Sequence, residues 1–293
     1  MTLLLIGKNG QVGWELQRTL QPLGPVRAMD YPEVDFADLN ALRRLVREAK
    51  PSLIVNAAAY TAVDKAESET DKARAVNTLA PGLLAEEAQR LGIPLIHYST
   101  DYVYDGSGET PRSEDTATGP LGFYGQTKLE GDQAIAASGC AHLIFRTSWV
   151  YGVRGSNFML TMLRLARERE ELRVVSDQIG APTWSRLIAQ VTATALARCW
   201  QPGQSGGVAE RSGVYHLVSA GFTSWHGFAQ AIFENDSRRM EHKLKTLVPI
   251  ATEEYPTPAR RPKNSRLDCG KIKRVFGIHL PDWREALLQV LEP

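Results

Sequence analysis

Short apolar runs alternate with longer stretches of helical spacing through the first half of the chain. LLLIG (3–7) is continuous enough for a strand buried on both faces, and Val12, Leu16 and Leu20 then share one face of a helix over 11–21. The alternation repeats with PVRAM (25–29) as a strand, LNALRRLVREA (39–49) as a helix, SLIVNAA (52–58) as a strand, and a long helix over 69–91. IPLIHYST (93–100), a helix beginning near 122, and HLIFRTSW (142–149) complete the run. Strands with consecutive apolar positions, separated by helices, predict a parallel sheet covered on both faces, a doubly wound α/β domain. In such a domain ligands are expected beyond the carboxyl ends of the strands.

Past residue 150 the rhythm loosens. A helix over 157–169, a short strand ELRVVS (171–176) and a helix over 186–199 precede a polar, glycine-rich loop over 201–213. Prolines cluster in VPIATEEYPTPARRPKNS (248–265), which reads as an extended loop. The pattern predicts a dinucleotide-binding domain over 1–149, rejoined by roughly 171–200, and a smaller C-terminal α/β substrate-binding lobe over 150–293.

Composition narrows the function. With 34 Lys and Arg against 33 Asp and Glu, the net charge of +1 gives no electrostatic reason to expect nucleic acid or a membrane surface as partner. No apolar run approaches the roughly 20 residues that span a bilayer, and the N-terminal segment reads as a buried strand with no signal-peptide pattern. Cys140, Cys199 and Cys269 are far apart and odd in number, which fits a reducing, cytoplasmic setting without disulfides. Neither they nor the six histidines have metal-ligand spacing, so no metal is expected.

Chemistry enters at the strand ends. GKNGQVG places Gly7, Gly10 and Gly13 between a buried strand and a helix, where a tight turn and open N–H groups can receive a pyrophosphate. The G-x-x-G-x-x-G spacing is a variant of the G-x-G-x-x-G fingerprint. Asp30 ends the second strand, 17 residues after Gly13, where a carboxylate can accept from both hydroxyls of an adenosine ribose. It would repel a 2′-phosphate and so leans toward NADH, while nearby Arg27 keeps NADPH open. Asp38 is expected to cap the second helix. HYSTDYVYDG then brings Ser99, Thr100, Asp101 and Tyr102 to the end of the fourth strand, and Tyr124 follows 24 residues after Thr100. Lys128 lies one helical turn beyond Tyr124, on the same face. An ammonium beside a phenol is expected to lower its pKa, and the phenol can then protonate an oxyanion that Thr100 holds.

Together the glycine turn, Thr100 and Tyr124-x-x-x-Lys128 resemble the extended short-chain dehydrogenase/reductase family, whose members act largely on nucleotide-linked sugars. NAAAYTAVDKAE, YGQTKLEGD, FRTSWVYG, DQIGAPT and RPKNSRL extend the likeness from about residue 3 to residue 268. The resemblance implies a Rossmann-like fold, NADPH or NADH as cofactor, and reduction of the C4 keto group of a dTDP-linked 6-deoxy sugar. It makes Thr100, Tyr124 and Lys128 the catalytic set. It places Gly7, Gly10, Gln11, Val12, Gly13, Asp30, Asp35, Phe36, Ala57, Ala58, Tyr60, Tyr124 and Lys128 along the dinucleotide. Val63, Asp64, Thr100, Asp101, Tyr102 and Trp149 would meet the sugar, and Asn157 with the Arg260/Arg261 pair the diphosphate. Related 4,6-dehydratases carry Asp-Glu after the threonine; Asp101–Tyr102 here argues against that chemistry. An epimerase using the same residues, and a non-catalytic role like that of the regulatory subunit of methionine adenosyltransferase, stay open as alternatives. Some relatives form metal-bridged dimers through acidic residues. A homodimer is therefore in view, but Arg186 stands where a carboxylate would be needed to join Glu15 at such a bridge.

Overall fold

The structure, a computed structural model, describes residues 2–201 and 206–292. Strands β1 (Leu3–Ile6), β2 (Val26–Met29), β3 (Leu53–Asn56), β4 (Leu95–Thr100) and β5 (His142–Thr147) join Gly213–His216 in one six-stranded sheet. Its order is Gly213–His216, β5, β4, β3, β1, β2, and every pair is parallel.

Alternation along each strand divides the core in two. Leu3, Leu5, Leu53, Val55, Ile96, Leu143 and Phe145 point to one face, where they meet Leu16 and Leu20 and the Ser185–Cys199 helix through Leu187, Ile188 and Leu196. Leu4, Ile6, Ile54, Leu95 and Ile144 point to the other. There they meet helix α2 (Leu39–Ala49) through Leu42, Leu45 and Val46, and the Ala80–Leu91 helix through Leu83, Leu84 and Ala88. Burial on both faces is why these strands read as unbroken apolar runs. Asp38 caps α2, accepting from the Asn40 and Ala41 N–H groups.

Connections run from β1 toward β2 on one side and from β3 toward β5 on the other. The sheet therefore opens a crevice where the carboxyl ends of β1 and β3 part, the position at which doubly wound sheets bind ligands.

Two elements differ from the expected pattern. The helix anticipated over 69–91 is interrupted: Thr70–Arg74 passes into a π-helical turn, Ala75–Leu79, before Ala80–Leu91 resumes. The proline-rich stretch also contains strands. Thr246–Ile250 pairs in parallel with Glu171–Val175, and Asn264–Ser265 pairs with Ile179–Gly180. Pro249 is tolerated because a two-stranded ribbon consists only of edge strands. Of the glycine-rich loop expected over 201–213, residues 202–205 lie outside the described residues, and Gly206–Ala209 form a short helix.

Candidate active site

Gly7 ends β1 with φ +88°, and a Cβ there would stand 2.5 Å from the Ala58 nitrogen. Only glycine lets the end of β1 approach the backbone that follows β3 this closely. Gly13 is equally constrained, since a Cβ would collide with the Gly7 carbonyl oxygen. Gly10 has only an ordinary contact, and it caps helix α1 (Gln11–Thr19) without any side-chain hydrogen bond. The first N–H groups of α1, at Gln11 and Val12, are thus left for another acceptor, which fits a dinucleotide diphosphate. Asp30 lies against the same turn, accepting from Asn9 N–H at 2.7 Å and Tyr31 N–H at 2.8 Å. Asp35 is exposed, while Phe36 packs on the α2 side of the sheet.

At the end of β4, Thr100 Oγ1 accepts from Tyr102 N–H at 3.2 Å and donates to Asp101 Oδ1 at 3.0 Å. Burial raises the Asp101 carboxyl to about 6, with the Ser265 and Thr100 hydroxyls opposing the shift, and among the described residues Oδ2 has no partner. The Phe123–Ala137 helix delivers Tyr124 beside this loop. Its start is fixed by Glu67, whose Oε1 accepts from Phe123 N–H at 2.8 Å. The Tyr124 and Tyr102 rings meet edge to face at 5.5 Å.

Burial pushes the Tyr124 phenol above its ordinary pKa, and the nearby Thr100 hydroxyl only partly offsets this. The lowering expected from Lys128 is therefore not what the site displays. Lys128 Nζ is directed elsewhere, donating to the Tyr98 carbonyl at 2.6 Å and lying 3.1 Å from His97 Nε2. Its own burial, partly opposed by Asp132, brings it down to about 8.

Several further residues of the site come together only in the fold. Asn77, fully buried in the π-helical turn, accepts from Tyr60 N–H at 2.9 Å, donates to Tyr60 O at 3.1 Å, and donates to Thr127 Oγ1 at 3.2 Å. It ties the Ala57–Tyr60 segment to the helix of Tyr124 and Lys128. A polar residue amid the apolar face of AVNTLAP was the available cue. Deeper still, Asp132 accepts from Ser99 at 2.9 Å and from Arg146 at 3.1 Å, and Arg146 donates to Tyr104, whose hydroxyl meets His216 at 2.7 Å. These residues lie far apart in sequence, so only the fold brings them together.

The opposite wall comes from later segments. Val63 and Asp64 begin the short Val63–Ala66 helix, and Asp64 pairs with Arg261 at 2.7 Å. Arg261 also reaches the Tyr102 hydroxyl at 3.3 Å, so of the two arginines it is the one drawn into the site. Arg260 is exposed on a cavity of about 740 Å³, which Arg261, Lys263, Arg266 and Tyr255 also line. Trp149 takes a left-handed backbone, φ +47°, and stacks on Trp225 at 3.6 Å. Gly180 makes room for it, since a Cβ would lie 2.7 Å from the indole ring.

Asn157 is held by bonds within the chain. Its Oδ1 caps the Phe158–Glu168 helix, and its Nδ2 donates to Gln11 Oε1 at 2.9 Å and Gly152 O at 2.8 Å. Both amide hydrogens are used, leaving none for a diphosphate. Asn157 instead ties this half of the chain to the glycine turn. Glu15, almost fully buried, faces Arg186 at 3.2 Å, and among the described residues no cluster of three His, Cys, Asp or Glu could hold a metal. Nor, among the described residues, is any helix long and apolar enough to cross a membrane.

Comparison with known proteins agrees with this geometry. A family model described as the RmlD substrate binding domain matches residues 1–293. The chain is 50% identical over 290 residues to a dTDP-4-dehydrorhamnose reductase of Burkholderia thailandensis, covering 98% of this chain and 97% of the relative. The crystal structure of a dTDP-4-dehydrorhamnose reductase from Clostridium acetobutylicum superposes with a TM-score of 0.90 at 34% identity, covering 99% of this chain and 98% of that one. A Bacillus anthracis dTDP-4-dehydrorhamnose reductase, solved in complex with NADP, gives 0.88 at 33% identity with the same coverage.

Proposed function

The chain belongs to the dTDP-4-dehydrorhamnose reductase family, and from that premise we propose that Tyr124 is the proton donor of its reaction and Thr100 the residue that holds the reacting oxygen. The protein is an NAD(P)H-dependent oxidoreductase. It reduces the C4 keto group of dTDP-4-dehydro-L-rhamnose to give dTDP-L-rhamnose, a step of nucleotide-sugar and polysaccharide biosynthesis.

A bound nicotinamide cofactor supplies the hydride. The chain's own residues do the rest. The open N–H groups at Gln11 and Val12 bind the diphosphate, and Gly7 brings the strand end close enough for contact. Asp30 holds the adenosine ribose, and the backbone of Ala57, Ala58 and Tyr60, clamped by Asn77, lines the path toward Tyr124. Thr100 orients the keto oxygen. Because burial keeps its proton on, Tyr124 is fully in the acid form at neutral pH. An alkoxide is more basic than a phenolate, so the transfer runs downhill once hydride arrives. Lys128, one turn along the helix, stabilises the phenolate left behind and holds the nicotinamide ribose. Asp64, Arg261, Tyr102 and Trp149 enclose the sugar. Arg260 and Arg266, with no salt-bridge partner among the described residues, offer cations for the substrate diphosphate across the cavity. Three unbridged cysteines suit a cytoplasmic setting.

The observation that carries this reading is the packing of Tyr124 against Tyr102, whose N–H donates to Thr100 at the end of β4, in the sheet crevice beside the glycine turn. The test is loss of nicotinamide absorbance when the protein is mixed with dTDP-4-dehydro-L-rhamnose and NADPH or NADH, with the product identified as dTDP-L-rhamnose. Absence of turnover with both cofactors would refute it.

A further inference from the structure

Lys128 ends among partners whose hydrogen-bonding roles can be fixed one after another. Asn56, the last residue of β3, is buried, and its Oδ1 accepts from Ala58 N–H at 3.2 Å. The reverse amide orientation would set two donors against each other, so Nδ2 is the atom that faces His97 Nδ1, at 3.1 Å, and donates to it. A neutral imidazole that accepts at Nδ1 carries its hydrogen on Nε2. That Nε2 lies 3.1 Å from Lys128 Nζ, which also donates to the Tyr98 carbonyl at 2.6 Å. An ammonium group has no lone pair to receive the Nε2 hydrogen, whereas a neutral amine has one.

We propose that Asn56 and His97 are positioning residues that hold Lys128 as a neutral amine in the cofactor-free enzyme, its lone pair on His97 Nε2–H and one of its own hydrogens on the Tyr98 carbonyl. The consequence for catalysis rests on the reductase reading; the hydrogen-bond pattern does not. The proton that makes Lys128 cationic during turnover is then taken up against this relay, and the relay sets where Lys128 titrates.

The surroundings agree. Burial moves Lys128 toward the neutral amine, to about 8, and holds the His97 ring well below the usual imidazole value. An imidazole N–H on Nζ favours the neutral amine further. The ionisable groups nearby are His97 from β4, Asp132 from the helix of Lys128, and Arg146 from β5, which is paired with Asp132. Tyr124 lies one turn away on the same helix, with Tyr102 and Asp101 beside Tyr124, and the Ala75–Leu79 turn packed on this helix contains no ionisable residue.

The full-length, cofactor-free protein labelled with ¹⁵N at histidine reads the tautomer directly in long-range ¹H–¹⁵N spectra, with His97 assigned by the signal lost in His97→Gln. The expected result is a bare Nδ1 and a protonated Nε2, with no imidazolium between about pH 6 and 9. An Nδ1–H tautomer, or an imidazolium forming in that range, overturns the proposal. Asn56→Asp replaces the donor by an acceptor-only carboxylate. It should reverse His97 to the Nδ1–H tautomer and move the Lys128-controlled limb of the kcat/KM profile up by about one pH unit. An unchanged tautomer and profile in Asn56→Asp also overturns it. An Nε2–H tautomer in a wild-type protein that turns over no sugar nucleotide supports the relay and removes the reductase reading instead.

Discussion

Asn77 holds Tyr60 by both backbone groups, accepting from its N–H at 2.9 Å and donating to its carbonyl at 3.1 Å. A third bond, to Thr127, fastens this pair to the helix that carries Tyr124 and Lys128. The π-helical turn is what aims the amide: it shifts the register of the helix so that a polar side chain enters a buried site.

Asn77→Ala would strand the Tyr60 groups and the Thr127 hydroxyl in a buried position. The expected loss is about 1–3 kcal/mol of stability, measured by urea unfolding. Turnover should fall more than the stability change explains, because the Ala57–Tyr60 backbone loses its register with Lys128. Full activity at intact fold would show that the clamp is structural only.

The sheet was legible because its strands are buried on both faces, so that Leu3–Ile6 and Leu53–Asn56 read as unbroken apolar runs. The placement of the proposed catalytic residues was legible for a related reason: Thr100 ends one such strand, and Tyr124 and Lys128 lie one turn apart on one helix. What stayed hidden depends on distance in the chain. Asn77 meets Tyr60 from 17 residues away, and Arg146 on β5 meets Asp132 from a helix and Tyr104 from the loop after β4. Asn157 shows a second ambiguity, since a side chain that suits a ligand also suits a helix cap, which it forms here. The pKa of Tyr124 was misjudged because sequence spacing gives proximity to Lys128 but not the burial that outweighs it.

Gly180 tests the place given to Trp149. A methyl group there would press on the indole at 2.7 Å. Gly180→Ala should displace Trp149, destabilise the protein by about 1–3 kcal/mol, and raise KM for the sugar nucleotide several-fold at unchanged cofactor affinity. Steady-state kinetics with each substrate varied separates these effects. An unaltered KM would take Trp149 out of the sugar site.

Asp101 gives a stability that depends on pH. Its folded pKa is raised from 3.8 to about 6, so between these values the folded chain binds more protons than the unfolded chain, and stability falls as pH rises through the window. Asp101→Asn removes the buried charge. Its advantage in thermal unfolding should be roughly 1–3 kcal/mol above about pH 6 and should vanish below about pH 4. A difference independent of pH would mean that Asp101 is not the titrating group.

The most direct measurement is single-turnover reduction of dTDP-4-dehydro-L-rhamnose by Tyr124→Phe beside the wild type, with cofactor binding followed separately. Phenylalanine keeps the ring that packs against Tyr102 and removes only the hydroxyl. The account predicts a rate lower by about 10²–10⁴-fold with cofactor affinity changed little. A Tyr124→Phe enzyme that reduces the sugar at the wild-type rate would contradict it.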